Sequence, residues 1–313
     1  MRKSGMAKIL MGLLFVLPFL GSVAIADQGE QLIEAAAKGD LKQVQVLLAK
    51  GANVNEKNFW TRTALMNAAR KGDLGMVTLL LDNGADVNIK AASDETALLS
   101  AVEAGHAEVA QLLRDRGAET TLEVAAVMGD VEAVNRLIQQ GAEVDRDQDE
   151  YFRYPLVLRV ARTGNVEVLK VLLNNGAYVD GSASHGETAL MVDEGKGNLE
   201  AASLLLDNGA DVNAANNPGW TALIWAAGDG RLEVVRLLLD RGADVNANGS
   251  GLWGYTALMS AAGSGHADVV EVLLGGGADA KVKTDTGKTA LRIAQEWGHT
   301  QVVELLKAHG AKE

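Results

Sequence analysis

The 313-residue chain contains no cysteine. Disulfides, a thiol nucleophile and a zinc–thiolate site are therefore excluded. A chain without thiols also suits an oxidising compartment, where free thiols would mispair. The missing cysteines thus remove one class of catalysis and are compatible with export.

Basic residues are also fewer than acidic residues. The chain has 29 basic and 41 acidic residues, a net charge of −12 at pH 7. Because cationic contacts to phosphates supply most of the affinity for nucleic acid, we expect no nucleic-acid partner. Solubility accounts for most of this charge; beyond that, acidic surfaces steer association toward basic partner proteins.

Long apolar runs are almost absent, and the one that occurs lies at the start of the chain. Arg2, Lys3 and Lys8 precede an uncharged run over residues 9–26. Its 18 residues lie near the lower limit for spanning a bilayer, so an uncleaved membrane anchor is one interpretation. The proline and glycine inside the run favour a signal peptide instead.

The end of this run supports cleavage. Ala24-Ile-Ala26 has the small-x-small form of a signal peptidase site. We predict a signal peptide over 1–26 and a mature repeat domain over 27–313. Three basic residues leave with the signal, so 26 basic and 41 acidic residues remain, a net charge of −15. The mature protein is expected to be periplasmic or secreted, with no membrane contact.

Catalytic motifs are missing as well. The chain has no His-Glu-x-x-His, no Gly-x-Ser-x-Gly and no phosphate-cradling loop. Alternating aspartates from Asp145 resemble the start of a calcium loop, but Glu150 and Leu156 replace its turn glycine and last ligand. We therefore expect a protein that is not an enzyme and that has no metal and no cofactor.

What the chain does contain is a repeat. Nine leucine-rich segments end in Gly-Ala, with spacings of 33, 33, 24, 35, 33, 33, 35 and 33 residues. A period this constant indicates a stack of similar units. The pairs begin at Gly51, Gly84, Gly117, Gly141, Gly176, Gly209, Gly242, Gly277 and Gly310.

One unit shows what each repeat should form. In residues 220–246, Thr221 is placed to cap a short helix, and two alanines give that helix a slim face. A second helix follows with an apolar stripe one face wide, and Gly242 stands where a left-handed cap is expected. Such a unit cannot bury its own apolar face and needs neighbours on both sides.

The repeated words resemble the ankyrin repeat, a 33-residue unit with a Thr-Pro-Leu-His-x-Ala signature. Gly-Ala-Asp-Val-Asn occurs at 84–88, 209–213 and 242–246. The resemblance covers roughly residues 30 to 311. In particular, the chain resembles exported bacterial ankyrin-repeat proteins. This resemblance implies helix pairs, β-hairpin fingers and a concave binding groove. Thr-Ala-Leu recurs at Thr63, Thr96, Thr188, Thr221, Thr256 and Thr289.

The predicted fold class is an all-α solenoid with β-hairpin fingers and about nine units. The 24-residue spacing after Gly117 removes nine residues, so unit four should have helices but no hairpin. The units should span roughly 30–55, 56–88, 89–119, 120–145, 146–180, 181–213, 214–246, 247–280 and 281–311.

Aromatic residues make up only 4% of the chain, so their positions are informative. In ankyrin proteins the finger bases and inner helices line the groove, and Trp220, Trp225, Trp253 and Tyr255 occupy such positions in units seven and eight. Since Trp and Tyr are enriched in binding hot spots, we predict an exposed patch here. Packing inside the repeats is the alternative. Trp60 and Tyr154 are weaker candidates.

Two carboxylates break the pattern in unit six. Asp193 and Glu194 occupy its Ala-Ala positions and need partners or water, because burying unpaired carboxylates is costly. One interpretation is a packing compromise in which Arg159 and Arg162 pair with the two carboxylates. The other is a charged inset in the groove that contacts a partner.

These features predict an interaction protein. We expect a monomer that binds another protein, basic and in the cell envelope, through its concave face, and that tethers, inhibits or protects it. The alternatives are an enzyme or small-molecule binder that uses the notch near units four to six, and a scaffold without a single partner.

Overall fold

A computed structural model describes residues 28–92, 94–144, 155–183, 185–192, 199–249 and 254–312. The chain divides into two compact parts, one up to Met128 and one from Gly129. They are called the first and the second unit below, and the single repeats are called repeats. The described part of both units consists of short helices in pairs, which confirms the all-helical repeat architecture. The number of repeats and continuous hairpins in the fingers stay predictions.

The first unit contains two layers of helices. Helices α3, α5 and α7 pack on one another in one layer, and α2, α4 and α6 pack in the other. Their bounds are 28–38 for α1, Leu41–Ala49 for α2, Ala64–Lys71 for α3, Leu74–Asp82 for α4, Ala97–Glu103 for α5, Ala107–Asp115 for α6 and Leu122–Met128 for α7.

The second unit continues the same pairing. Each repeat has a first and a second helix. Among the described residues, the short 3-10 turn Ala189–Met191 stands at the position of a first helix and packs against α9 and α12. The helices are Val131–Gln139 (α8), Leu156–Thr163 (α9), Val166–Asn174 (α10), Leu199–Asp207 (α11), Ala222–Gly228 (α12), Leu232–Asp240 (α13), Ala257–Ser264 (α14), Ala267–Gly275 (α15), Ala290–Trp297 (α16) and Thr300–Ala308 (α17).

The Thr-Ala-Leu word forms the start of α3, α5, α12, α14 and α16. In α12 the Thr221 hydroxyl accepts from the backbone N–H of Ile224 at 3.4 Å, and Thr63 caps α3 in the same way. Ala226 and Ala227 are 4% and 0% exposed, so neighbouring helices approach closely along this face. The repeated word therefore encodes both a cap and a packing surface.

The loop between one helix pair and the next is called a finger below. In the described fingers the β-structure consists of isolated antiparallel bridges, such as Ala215 with Thr221. After Gly117 the next helix begins at Leu122, whereas after Gly84 it begins at Ala97. The shortened fourth repeat thus passes almost directly from one helix to the next.

The Gly-Ala-Asp-Val-Asn word ties each repeat to its successor. The Asn213 side chain donates to the carbonyl of Gly242 at 3.3 Å and accepts from the N–H of Asp244 at 2.8 Å. Asn55, Asn88 and Asn246 make the same pair of bonds across their own repeat boundaries. A single amide therefore satisfies a donor and an acceptor of the next repeat.

Asp180 stands at the equivalent position and can only accept, from the N–H of Asp211 at 3.1 Å. We predict that Asp180→Asn stabilises the protein by about 0.5–1.5 kcal/mol, because the new amide can donate to the carbonyl of Gly209. Asn213→Asp should cost a similar amount. Urea unfolding of both variants measures the difference; an unchanged or lowered midpoint for Asp180→Asn would contradict the prediction.

Histidines secure the turns between paired helices. The His266 ring donates from Nε2 to the carbonyl of Gly228 at 3.1 Å. The same ring covers Gly230, where a Cβ would lie 2.6 Å from its nearest atoms. His106 and His299 make equivalent bonds to Arg70 and Gly263. These contacts give the three histidines a structural role.

Candidate functional site

An aromatic cluster in the second unit lies where the sequence placed the binding patch. Trp220 directly precedes the capping threonine of α12, and Trp225 lies one turn inside that helix. Their ring centroids are 4.8 Å apart with a tilt of 57°. Tyr255 holds the position equivalent to Trp220 in the next repeat. All three side chains are half-buried and pack against the core of the unit.

Trp220 also rests on the following finger. A Cβ added to Gly249 would lie 3.1 Å from Cδ1 of the Trp220 ring. The ring is therefore held between that finger and Trp225, with part of its surface open to solvent. Such a fixed, partly exposed ring loses little entropy when a partner covers it.

Elsewhere in the second unit, the position before the helix cap carries a charged residue in an ion pair. Lys288 and Arg292 both bind the carboxylate of Glu296. The hydrogen bond from Lys288 holds the pKa of Glu296 below its usual value, and Arg292 adds to the effect. Glu187 is paired with Arg162 at 3.0 Å. Ion pairs thus occupy this surface in the repeats before and after the aromatic cluster.

The first unit shows the same charged pattern. Arg62 and Glu95, both directly before helix caps, form an ion pair, and the Ser100 hydroxyl donates to Glu95 at 2.6 Å. Burial lowers the pKa of the Arg62 guanidinium, while Glu95 acts against that change. This pair joins two neighbouring repeats and is a structural contact.

Glycine replaces the charged partner beside the aromatic rings. Lys288 reaches Glu296, eight residues later; Gly228 and Gly263 hold the corresponding positions, eight residues after Trp220 and Tyr255. We call Trp220, Trp225, Gly228, Tyr255 and Gly263 the aromatic window. None of these five residues is charged, three carry large rings and two have no side chain, a combination that suits an apolar side chain from a partner.

One polar atom within the window has no bonding partner among the described residues. Nε1 of Trp225 is buried and makes no hydrogen bond there. A buried unsatisfied donor costs about 1–3 kcal/mol. Since natural proteins break packing rules chiefly at functional sites, this cost supports a role for Trp225 beyond the core.

The other residues that the sequence predicted as site residues lie in the first unit or outside the described part of the chain. Trp60 lies in the first unit and is 60% exposed. Sequence reasoning missed Trp297, which is 70% exposed at the end of α16, and it missed the glycine floor. The spacing of eight residues between paired positions was the signal available for that floor. Trp253, Tyr154, Asp193, Glu194, Ala24 and Ala26 lie outside the described residues.

The described residues give little support to catalysis. They contain no group of three or more His, Asp or Glu side chains suited to a metal ion. Gly287-Lys288-Thr289 matches the end of a phosphate loop, but Val282 replaces its first glycine. Lys288 is bound to Glu296, and the Thr289 hydroxyl caps α16. Over the same residues, no helix has the length and apolar character to cross a membrane.

The repeats, caps and turn contacts define a helical repeat protein with an aromatic surface. A family model for ankyrin repeats (3 copies) matches residues 32–123, 122–216 and 186–249, and one for ankyrin repeats (many copies) matches 238–294. The chain belongs to the ankyrin-repeat family. A comparison with curated proteins gives no match. Ankyrin repeats generally mediate protein–protein interactions and are typically non-catalytic.

Proposed function

We propose that this protein binds a partner protein through the aromatic window of its second unit. The supporting observation is the change in chemistry along one surface: ion pairs at Arg162–Glu187 and Lys288–Glu296, and an uncharged aromatic surface in the repeats between them. Binding hot spots are apolar and aromatic at the centre and polar at the rim. The window fits an apolar side chain of the partner.

Charge and export define the kind of partner. The net charge of −12 favours association with a basic protein. The signal-like segment ending at Ala26 supports export, which would bring the two proteins together in the cell envelope. There the repeat protein tethers, inhibits or protects its partner. It supplies a preformed surface rather than a reaction.

Capture on the immobilised protein tests the proposal. An extract of the producing cells is passed over wild-type protein and over a Gly228→Arg variant, in which the window is filled. One partner retained in equal molar amount by the wild type and lost by the variant supports it. Equal retention by both proteins, or no retained protein, contradicts it.

Export gives a separate prediction. Because Ala24-Ile-Ala26 fits a signal peptidase site, the isolated protein should begin at Asp27. N-terminal sequencing of the protein recovered from the periplasm or medium measures this. An intact Met1 in the membrane fraction would support the anchor interpretation instead. An Ala26→Phe variant, which blocks the small-residue position, is the matched control and should accumulate uncleaved.

A further inference from the structure

The first unit presents two large apolar rings at the tip of a finger. Phe59 is 86% and Trp60 is 60% exposed. Their centroids lie 5.2 Å apart in an edge-to-face arrangement. The N–H of Thr61 donates to the carbonyl of Asn58 at 2.8 Å, so the rings occupy the two middle positions of a tight turn. They therefore form the apex of the finger.

The backbone of this tip is held in place. The Asn58 side chain accepts from the N–H groups of Trp60 and Arg62, both at 3.0 Å. Thr61 adopts a φ of 58°, which is unfavourable for a β-branched residue. Its hydroxyl accepts from the N–H of Ala92 in the next finger. The same turn position is also left-handed at Asp94, Gly219 and Gly287, so this backbone conformation belongs to the finger turn of the repeat.

Other described finger tips have different chemistry. The two middle turn positions are Asn217-Pro218 in one finger and Asp285-Thr286 in another. Both tips lack aromatic rings and carry polar or small side chains. The exposed pair Phe59–Trp60 is thus a property of this finger rather than a requirement of the repeat.

Charge around the tip also differs from the rest of the chain. Lys57 and Lys90 are exposed, and the Lys57 ammonium donates to the carbonyl of Lys90 at 3.1 Å, which leaves further donors on both lysines. Cations and anions balance across the two neighbouring fingers, whereas the chain as a whole has a net charge of −12. The eight residues are Lys50, Glu56, Lys57, Arg62, Asp86, Lys90, Asp94 and Glu95.

We propose that the Phe59–Trp60 tip inserts into the headgroup region of a phospholipid bilayer. Exposed apolar patches mark protein or membrane contacts. Tryptophan is enriched at the membrane–water interface, and lysines there extend to the headgroups. Lys57 and Lys90 complement lipid phosphates. The contact is peripheral and reversible, and it needs no spanning helix; it replaces the expectation that the mature chain avoids membranes.

A bilayer fits this tip better than a protein pocket for two reasons. The rings project from a convex apex, a shape that enters a deformable surface without a matching cavity. The balanced charge allows approach to lipid, which the acidic remainder of the chain would oppose. The proposal is independent of the aromatic window, since it uses residues of the first unit only.

Tryptophan quenching by lipid tests this contact in the protein as isolated from the producing cells. Phosphatidylcholine vesicles brominated near the headgroup are titrated into wild type, Trp60→Phe and Trp297→Phe. Wild type and Trp297→Phe should be quenched alike, and Trp60→Phe should lose most of the quenching. Trp297, which is 70% exposed, serves as the matched control.

A second variant tests the charges. On vesicles that also contain anionic phosphatidylglycerol, Lys57→Glu/Lys90→Glu should weaken quenching about tenfold in lipid concentration, because each lysine near an anionic lipid surface contributes to attraction. Circular dichroism checks that every variant is folded. Equal quenching in wild type and Trp60→Phe, or no quenching in wild type, would overturn the proposal and leave a protein pocket as the partner of the tip.

Discussion

Gly228→Arg should abolish partner capture while the fold stays intact. A Cβ at Gly228 meets only the Ser260 side chain, at 3.6 Å, so the position accepts a side chain. Replacing a helical glycine also removes a propensity penalty of up to about 1 kcal/mol. The new guanidinium would fill the window, as Arg162 fills the same position two repeats earlier. Losing a hot-spot contact of about 2 kcal/mol or more lowers affinity roughly thirtyfold.

The matched control is Gly275→Arg. Gly275 ends α15 as Gly228 ends α12, is exposed, and has no atoms within 4 Å of an added Cβ. Both variants add the same charge, so a difference in capture comes from position alone. Thermal unfolding and partner titration are measured for each. Undiminished affinity in Gly228→Arg would mean that the window is not the binding site.

Alanine at the tryptophans is a less selective probe. If Trp220 and Trp225 formed the exposed patch expected from the sequence, Trp220→Ala and Trp225→Ala would leave the unfolding midpoint nearly unchanged. Both rings are half-buried against the core, so truncation also removes packing. Removing a fully buried Trp costs about 3–5 kcal/mol, and these rings should cost a part of that. Loss of capture by these variants is interpretable only after comparison with Gly228→Arg.

The repeat fold was predictable because its signals are local. The helix caps at Thr63 and Thr221 and the left-handed glycines such as Gly242 each require a particular residue type. Their recurrence at a fixed period identified the helix pairs without knowledge of tertiary contacts. Backbone requirements of this kind are readable from sequence since few side chains satisfy them.

The window was only partly predictable because it depends on a correspondence between positions eight residues apart. The aromatic residues were visible, but their half-burial was not. The absence of side chains at Gly228 and Gly263 became meaningful only when Lys288 was found on Glu296 in the same register. The cost of Asp180, which stands where other repeats have Asn, was also not predictable from sequence. It comes from a missing hydrogen-bond donor toward the next repeat.

Gly230→Ala should be among the most damaging small substitutions in the second unit, where Gly265 has the same arrangement with His299. Gly230 has a φ of 71°, and an added Cβ would lie 2.6 Å from the His266 ring. The left-handed backbone alone costs about 1–2 kcal/mol with alanine. Moving the ring away would also break its hydrogen bond to Gly228, worth about 0.5–1.5 kcal/mol. We expect a total loss of about 2–4 kcal/mol in urea unfolding.

Comparison with Gly242→Ala separates the two causes. Gly242 has a φ of 86°, but nothing lies within 4 Å of an added Cβ, so only the backbone cost of about 1–2 kcal/mol should appear. In a double-mutant cycle, His266→Ala should recover part of the loss caused by Gly230→Ala, because it removes the clash. If the effects of Gly230→Ala and His266→Ala are additive, or if Gly230→Ala and Gly242→Ala cost the same, then the His266 ring moves aside without a free-energy cost. A coupling of at least about 0.5 kcal/mol would show that His266 on Gly230 fixes how consecutive repeats pack.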